Sequence, residues 1–497
     1  MSAGGNAVDA AIAANAVLGV VAPDTCGLGG DLFALVHTPG RPAPMALNAS
    51  GPAGSGAIAA ELRDRGLDEV PLRSAWSVTV PGCADGWEVL LERYGTKPLS
   101  ELLVPAIDLA VTGFAVSSEL ADSLRRIHPL IGGQGSSPAL YPSGAAPAGG
   151  TRLTRPHLAE TLRLLGAAGR EAFYGGKVGE EITVATDGVI TAADLERRSA
   201  QWVEPISIDV FGQRAWTIPP NSQGWLTLAA CWLFEQMDPP RDPEHPAFHQ
   251  AAIEAYRSVA WERDELVSDP ETAPIPAAHL ADPDRLRSRL DRLFLDSTAT
   301  WPAPEPAPGG TAYFCVRDGA GMGVSFIQSN FHGIGSGLSA GDTGVFLHNR
   351  GAGFNLTAGH PNEMSPGRRP LHTLAPSLWT EGDQLRLLLG TRGGQYQPQL
   401  LVQVATKLLW AGASGPQAQA LPRWIVDGWG PGQEPRLHVE SRMPAEVTGG
   451  LSRRGLDVHQ ADDWMPGWGP VSMIETDSST AAGFADPRVS TAAATAP

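Results

Sequence analysis

The sequence predicts a globular α+β protein, and three observations carry that prediction. The first is composition: 42% of the 497 residues are hydrophobic, enough for a sizeable core, and the 58 Gly and 43 Pro are interleaved with apolar periodic segments. That arrangement describes tight loops between packed elements rather than disorder. The second is helical periodicity, which recurs at 83–94, 98–112, 156–166 and 245–266. An Ala-rich stretch at 6–21 is apolar on most faces, so it is expected as a buried helix ending at Pro23. The third is a set of β-rich runs at 32–37, 311–316, 324–329 and 385–389. The middle two are joined by the turn Asp318-Gly319-Ala320-Gly321, which predicts a hairpin in the C-terminal half. A helix is expected at 397–410, directly after Gly393 and Gly394.

Charge and cysteine usage exclude several functions. With 36 basic against 53 acidic residues the net charge is −17. Such a chain repels phosphate backbones and anionic membranes, and no basic stripe interleaved with aromatics is present, so neither nucleic acid nor membrane is expected as a partner. Cys26, Cys83, Cys231 and Cys315 are far apart and form no CxxC pair, which argues against structural zinc and for small buried hydrophobes in a reducing compartment. His245 and His249 are spaced for one helix face, but Pro246 stands where a zincin helix has glutamate, so no metal is expected. The opening Met-Ser-Ala-Gly-Gly-Asn has no basic n-region, and the apolar run 11–21 is too short to span a bilayer. A cytoplasmic protein is the expectation.

The strongest composition shift lies at 268–310, which holds a short helical piece near 279–295 and ends Trp-Pro-Ala-Pro-Glu-Pro-Ala-Pro-Gly-Gly. Its last residues are expected to be extended and flexible, from about 297 to 310. A strand then begins at Thr311. Cleavage at Gly310-Thr311 would leave Thr311 with an α-amine beside its hydroxyl. An α-amine titrates near 7.7–8.0, so a useful fraction is neutral and accepts the hydroxyl proton. Nucleophile and base would then share one residue, with no cofactor. Gly309 and Gly310 lack a β-carbon, which lets the backbone twist for the hydroxyl to attack the preceding carbonyl.

Gly-Asn-Ala-Val-Asp-Ala-Ala-Ile-Ala-Ala at 5–14, with Gly27-Leu28-Gly29-Gly30-Asp31, resembles the N-terminal signature of the γ-glutamyltransferase family. Later landmarks follow in the family's order: Val78–Gly82, Phe173–Gly176, Pro219–Gly224, Trp261–Asp264, Gly335-Ser336-Gly337, Pro366–Leu371, Gly393-Gly394 and Ala485–Arg488. The resemblance spans about residues 3–490. It implies an N-terminal-nucleophile hydrolase fold, a four-layer αββα sandwich made as one precursor. The precursor would be cut into a large subunit (1–310) and a small subunit (311–497) that form a single intertwined domain. By the same resemblance Thr311 is the nucleophile, Ser329 hydrogen-bonds it, and Gly393 and Gly394 form the oxyanion hole.

The substrate pocket departs from the family pattern. Where transpeptidases of the family clamp a substrate α-amine with Asn, Gln or Glu, and Asp, this chain has Phe331, Arg350 and Gly353. Asn48 is the nearest match to the family's carboxylate-binding arginine, and His372 and Thr373 stand for its paired serines. An ammonium beside Arg350 would be repelled. These residues point to the acylase-like branch: hydrolysis or transfer of an acyl group from a small carboxylate-bearing substrate. The family resemblance also brings in natural-product relatives that cleave a carbon–carbon bond. Arg350 is expected as the carboxylate anchor, with His372 and Thr373 completing it and His372 contributing more when protonated. Precursor cutting is expected to use Thr311 and the backbone, not Arg350. Two rivals stand beside this reading, a genuine γ-glutamyl transpeptidase and an uncut, non-catalytic scaffold, and the oligomeric state is left open.

Overall fold

In a computed structural model the described residues are 1, 4–305, 309–477 and 480–496. The helix expected at the N-terminus forms as α1 (Ala7–Val21), capped by Asn6, whose side chain accepts from the Val8 and Asp9 backbone while the Asp9 side chain returns the bond. This reciprocal cap satisfies the free N–H groups of the first turn.

Two antiparallel sheets form the centre. Strands β1 (Asp31–His37), β2 (Met45–Ala49) and β3 (Gln201–Val203) come before residue 310. With β6 (Gly310–Arg317) and β7 (Gly323–Phe331) they make a five-stranded sheet in the order β3-β2-β1-β7-β6. The second sheet has β4 (Ile206–Val210), β5 (Gln213–Thr217), β8 (Ser377–Glu381), β9 (Gln384–Thr391), β10 (Val471–Thr476) and β11 (Ala481–Phe484). Their order is β11-β10-β9-β8-β5-β4. Both sheets therefore mix strands from either side of residue 310.

Alternation along β1 explains the layering. Leu32, Ala34 and Val36 point into a core with α1, α2 (Cys83–Tyr94), α3 (Val104–Thr112) and α4 (Pro156–Tyr174). Phe33 and Leu35 point the other way, against Trp216, Ile218, Leu378 and Leu388 of the second sheet. The outer face of that sheet packs on α5 (Trp225–Gln236), α6 (Pro246–Ala260) and α7 (Gln397–Ala405). Both strands are buried throughout: β1 is apolar from Leu32 to Val36, as burial on both faces asks, whereas β7 also buries Ser325, Gln328, Ser329 and Asn330, each with a hydrogen-bond partner. Three cores thus separate four layers, helix, sheet, sheet and helix.

Several sequence expectations shift. The single helix at 98–112 is two, Leu99–Leu102 and α3, and 397–410 is α7 followed by a π-helical turn at Thr406–Trp410. The helical piece at 279–295 is three short turns. Residues 306–308 of the Pro-rich approach lie outside the described residues. Cys26, Cys83 and Cys231 are buried, Cys315 is half-buried, and all four are free. Among the described residues no helix is long and apolar enough to cross a membrane.

Candidate active site

Thr311 is the second residue of β6 and lies in the middle of the sandwich, 2% exposed. Gly310 pairs with Phe331 and Ala312 with Gln328, so Ser329 and Asn330 together face Thr311. A bulge of this kind re-aims side chains next to it. Phe331 ends the bulge at φ 74°, a left-handed backbone that a bulky residue holds only when its surroundings enforce it. Among the described residues the Thr311 Oγ1 is buried and has no hydrogen-bond partner.

Ser329 lies opposite Asp31 on β1 and donates its hydroxyl to the Gly310 carbonyl. The bond to the Thr311 hydroxyl expected of Ser329 is not formed in this structure. In the uncut chain its one hydrogen is committed to Gly310, while its oxygen accepts the Phe331 N–H at 2.7 Å and Arg350 Nη2 at 3.4 Å. Gly309, two residues before Thr311, rests on Gly394, one of the two glycines expected as oxyanion donors. A β-carbon there would fall 2.6 Å from Gly394 Cα, 3.2 Å from its nitrogen and 3.7 Å from Thr373 Oγ1. Gly393 and Gly394 have φ of 123° and 56° and lead through a 3₁₀ turn into α7. Both positions favour glycine, and both lie just before a helix N-terminus, where free N–H groups favour a developing anion.

Arg350 is completely buried. Its guanidinium carbon sits 4.0 Å over the Phe331 ring, its Nε is 3.5 Å from Asp31 Oδ2, and its Nη1 reaches Thr373 Oγ1 at 3.4 Å. Burial pushes the guanidinium down to about 9 against the pull of Asp31. The same Asp31 oxygen meets His372 Nε2 at 2.9 Å and His348 Nδ1 at 3.2 Å, and the other oxygen accepts the Gly51 N–H at 3.2 Å. Burial raises the Asp31 carboxyl, but the adjacent histidines more than offset that and hold it below the usual carboxylate range.

His372 corrects a second expectation. Burial, and then the neighbouring Arg350, push its pKa down to about 3, so at neutral pH it is an uncharged donor to Asp31 and supplies no positive charge. The expected anchor set also narrows. Asn48 gives its amide to Asn221 Oδ1 at 2.9 Å and accepts the Ser50 N–H at 3.0 Å, which commits it to an internal network. Gly353 packs on the Leu371 carbonyl, where a β-carbon would come within 2.7 Å, and its own carbonyl accepts from Asn362. The structure gathers Thr311, Ser329, Phe331, Arg350, Thr373, Gly393 and Gly394, and leaves Asn48 and Gly353 in supporting roles.

Three residues with no role in the sequence reading prove to be part of the site. Asp31 is the buried anionic partner of Arg350, and His348 packs its Nδ1 against the same carboxylate oxygen. Gln223, fully buried, donates its Nε2 to the carbonyls of Thr373 at 2.8 Å and Gly394 at 3.1 Å, tying the arginine side of the site to the glycine side. Asp31 and Gln223 stand inside the Gly-rich and Pro219–Gly224 landmarks, which was the only signal available for them.

The family profile described as gamma-glutamyltranspeptidase matches residues 1–496. A glutathione hydrolase-like YwrD proenzyme of Bacillus subtilis is 34% identical, the alignment covering 98% of this chain and 93% of the relative. An oxamate amidohydrolase proenzyme of Klebsiella pneumoniae is 31% identical, over 99% of this chain and 94% of its own length. Among solved structures, a cephalosporin acylase from Bacillus halodurans superposes with a TM-score of 0.92 at 32% identity, covering 100% of this chain and 92% of the acylase. Sequence match and four-layer fold agree: the chain is an enzyme of the gamma-glutamyltranspeptidase family, in its N-terminal-nucleophile hydrolase fold.

Proposed function

We propose that the chain is an amide hydrolase that is cut before Thr311 and then uses Thr311 on a small amide whose acyl part carries a carboxylate. The observation that carries this reading is the setting of the Gly310–Thr311 bond. A buried hydroxyl without a partner among the described residues stands beside a carbonyl already held by a donor, and Gly309 before that carbonyl's residue rests on Gly394. Cutting would yield subunits 1–310 and 311–497, in line with the proenzyme names of both relatives.

In the cut enzyme the Thr311 hydroxyl attacks the acyl carbonyl and its proton passes to the α-amine of the same residue. The oxyanion takes N–H donors from Gly393 and Gly394. Collapse of the intermediate expels the substrate amine, which leaves with that proton. Water, activated by the same α-amine, then hydrolyses the ester. Transfer to an acceptor amine would use the same acyl-enzyme.

Arg350 supports the substrate class. It replaces the family's ammonium clamp with a buried cation whose two terminal nitrogens reach Ser329 and Thr373, the hydroxyls flanking the acyl position. A guanidinium holds a carboxylate through two parallel bonds and repels an ammonium. Oxamate, the substrate in the Klebsiella relative's name, is an amide whose acyl carbon bears a carboxylate, which fits the same chemistry.

The test has two parts. On a denaturing gel the purified wild-type protein runs as two fragments, the smaller beginning at Thr311, and Thr311→Ala stays whole. A smaller fragment beginning elsewhere, or a wild-type chain that is active uncut, would sink the nucleophile assignment. Ammonia release is then compared for oxamate and longer ω-carboxy amides, alongside nitroaniline release from γ-glutamyl-p-nitroanilide. The carboxy amides should show at least tenfold higher kcat/KM, and the reverse order would return the γ-glutamyl reading to first place.

A further inference from the structure

We propose that Arg350 also drives the cutting of its own chain, acting through Ser329 on the Gly310 carbonyl that Thr311 attacks. The inference rests on Gly310–Thr311 being the cleaved bond, and it replaces the expectation that processing needs only Thr311 and backbone groups.

The proton inventory at Ser329 allows one arrangement. A hydroxyl has one hydrogen and two acceptor positions. Phe331 N–H at 2.7 Å and Arg350 Nη2 at 3.4 Å can only donate, so they take the two acceptor positions. The Gly310 carbonyl can only accept, so it receives the hydrogen. The O–H dipole is therefore aimed at the scissile carbonyl before reaction begins.

The step balances without a further reagent than water. Thr311 Oγ bonds to the Gly310 carbonyl carbon and negative charge develops on the carbonyl oxygen. The hydroxyl proton ends on the Thr311 nitrogen as the carbon–nitrogen bond breaks, which leaves an ester and a free α-amine. Water then hydrolyses the ester, producing the Gly310 carboxylate and restoring the Thr311 hydroxyl. The charge that must be stabilised sits on the oxygen that Ser329 already contacts.

Arg350 is placed to strengthen that contact. At 3.4 Å the guanidinium works mainly as a nearby positive charge, and in a fully buried setting it is screened far less than at a surface. A donor already oriented at a developing anion costs no reorganisation at the moment of reaction. The arginine cannot turn away easily: Asp31 holds Nε, Thr373 receives Nη1, and the Phe331 ring lies beneath it. Asp31 is fixed in turn by His348, His372 and the Gly51 N–H. Arg350 is a positioning residue in this reaction, since it reaches the carbonyl only through Ser329.

Processing would be timed by pulse-labelled cell-free translation, following conversion of the full chain to two fragments on gels. Arg350→Met should slow conversion at least tenfold, and Arg350→Lys, which keeps the charge, should recover at least threefold of that loss. Adding Arg350→Met to Ser329→Ala should slow Ser329→Ala by no more than twofold, because the relay is already broken. Arg350→Met cutting within twofold of wild type would overturn the proposal, as would a double variant slowed by the product of the two single effects. A merely structural arginine would leave Lys as slow as Met. The same substitutions in the uncleavable Thr311→Ala chain report folding by thermal melting, and Arg350→Gln replaces Met if the Met variant shows no cooperative melt. N-terminal sequencing of the wild-type small fragment separates the two readings. A start away from Thr311 sinks both, while a start at Thr311 with an unchanged Arg350→Met rate sinks only the relay.

Discussion

A hydrogen in place of a β-carbon at Gly309 lets the strand proposed to be cut lie against Gly394. A methyl group there would come 2.6 Å from Gly394 Cα, a backbone atom that cannot swing aside, so the peptide must lift away from the oxyanion glycines. Gly309→Ala should therefore slow precursor cutting by at least tenfold, about 1.4 kcal/mol of barrier. The Thr311→Ala precursor with the same change should melt within a few degrees of its parent. Time courses on gels check the first, and unchanged cutting would mean that the peptide does not react from this position. The position of Thr311 at the start of a strand was legible in the sequence, because a Gly-Gly-Thr step into a β-rich run is a local pattern. Asp31 was not. Its partners His348, Arg350 and His372 lie more than 300 positions away in the chain and meet it only when β1 pairs with β7. The same blindness hid the state of His372: it was expected to help hold a substrate carboxylate, more strongly when protonated, and full burial keeps it neutral.

At the level of elements, the site is held by two loops that close on each other, Pro219–Gly224 before α5 and Leu371–Leu374 before β8. Gln223 N–H donates to the His372 carbonyl at 3.0 Å and His372 N–H to the Asn221 carbonyl at 2.8 Å. The Gln223 side chain extends this pairing to Gly394. Gln223→Met keeps the volume but strips a donor from two carbonyls, each costing about 1–3 kcal/mol when left buried and unpaired. The expected outcome is a lower melting temperature together with at least a tenfold fall in kcat on a carboxy amide, since Gly394 loses its tether. A variant that loses stability but keeps its kcat would show that the bridge supports the fold and not the oxyanion glycines. Of the elements, the long helices and the hairpin were legible because their periodicity is local and strong. In the second sheet only β9 was read from the sequence. Strands such as β5, Gln-Arg-Ala-Trp-Thr, are short and mixed in polarity, and they exist because partners distant in the chain complete their ladders.

Across the whole molecule, each sheet joins a block of strands from before residue 310 to a block from after it, through β1–β7 in one and β5–β8 in the other, so the two proposed subunits should unfold together in one transition even after cutting. That joins two distant buried histidines into one pH response. His249, on α6 in the outer helical layer, is pushed down to about 3 by burial and then by Lys407, and its neutral ring bridges the Pro243 carbonyl and the Trp424 indole N–H. His372, in the centre, is pushed down to about 3 as well. In the unfolded chain both titrate near 6.5, so between about 6.5 and 3 the unfolded state binds more protons and stability falls as pH falls. Each histidine contributes a slope of up to about 1.4 kcal/mol per pH unit within that window. Asp31 adds to the loss below about 4, where the unfolded carboxylate protonates and the folded one resists. The melting temperature of the uncleavable Thr311→Ala chain should therefore drop steadily from pH 7 to pH 4. His249→Gln, whose amide can still donate to Pro243 and accept from Trp424, should flatten that slope by roughly one proton without touching the site around Thr311. Urea titrations at pH 7, 6, 5 and 4 would measure both slopes. Parallel curves for the two proteins would show that His249 is protonated in the fold and that its burial does not feed into acid stability.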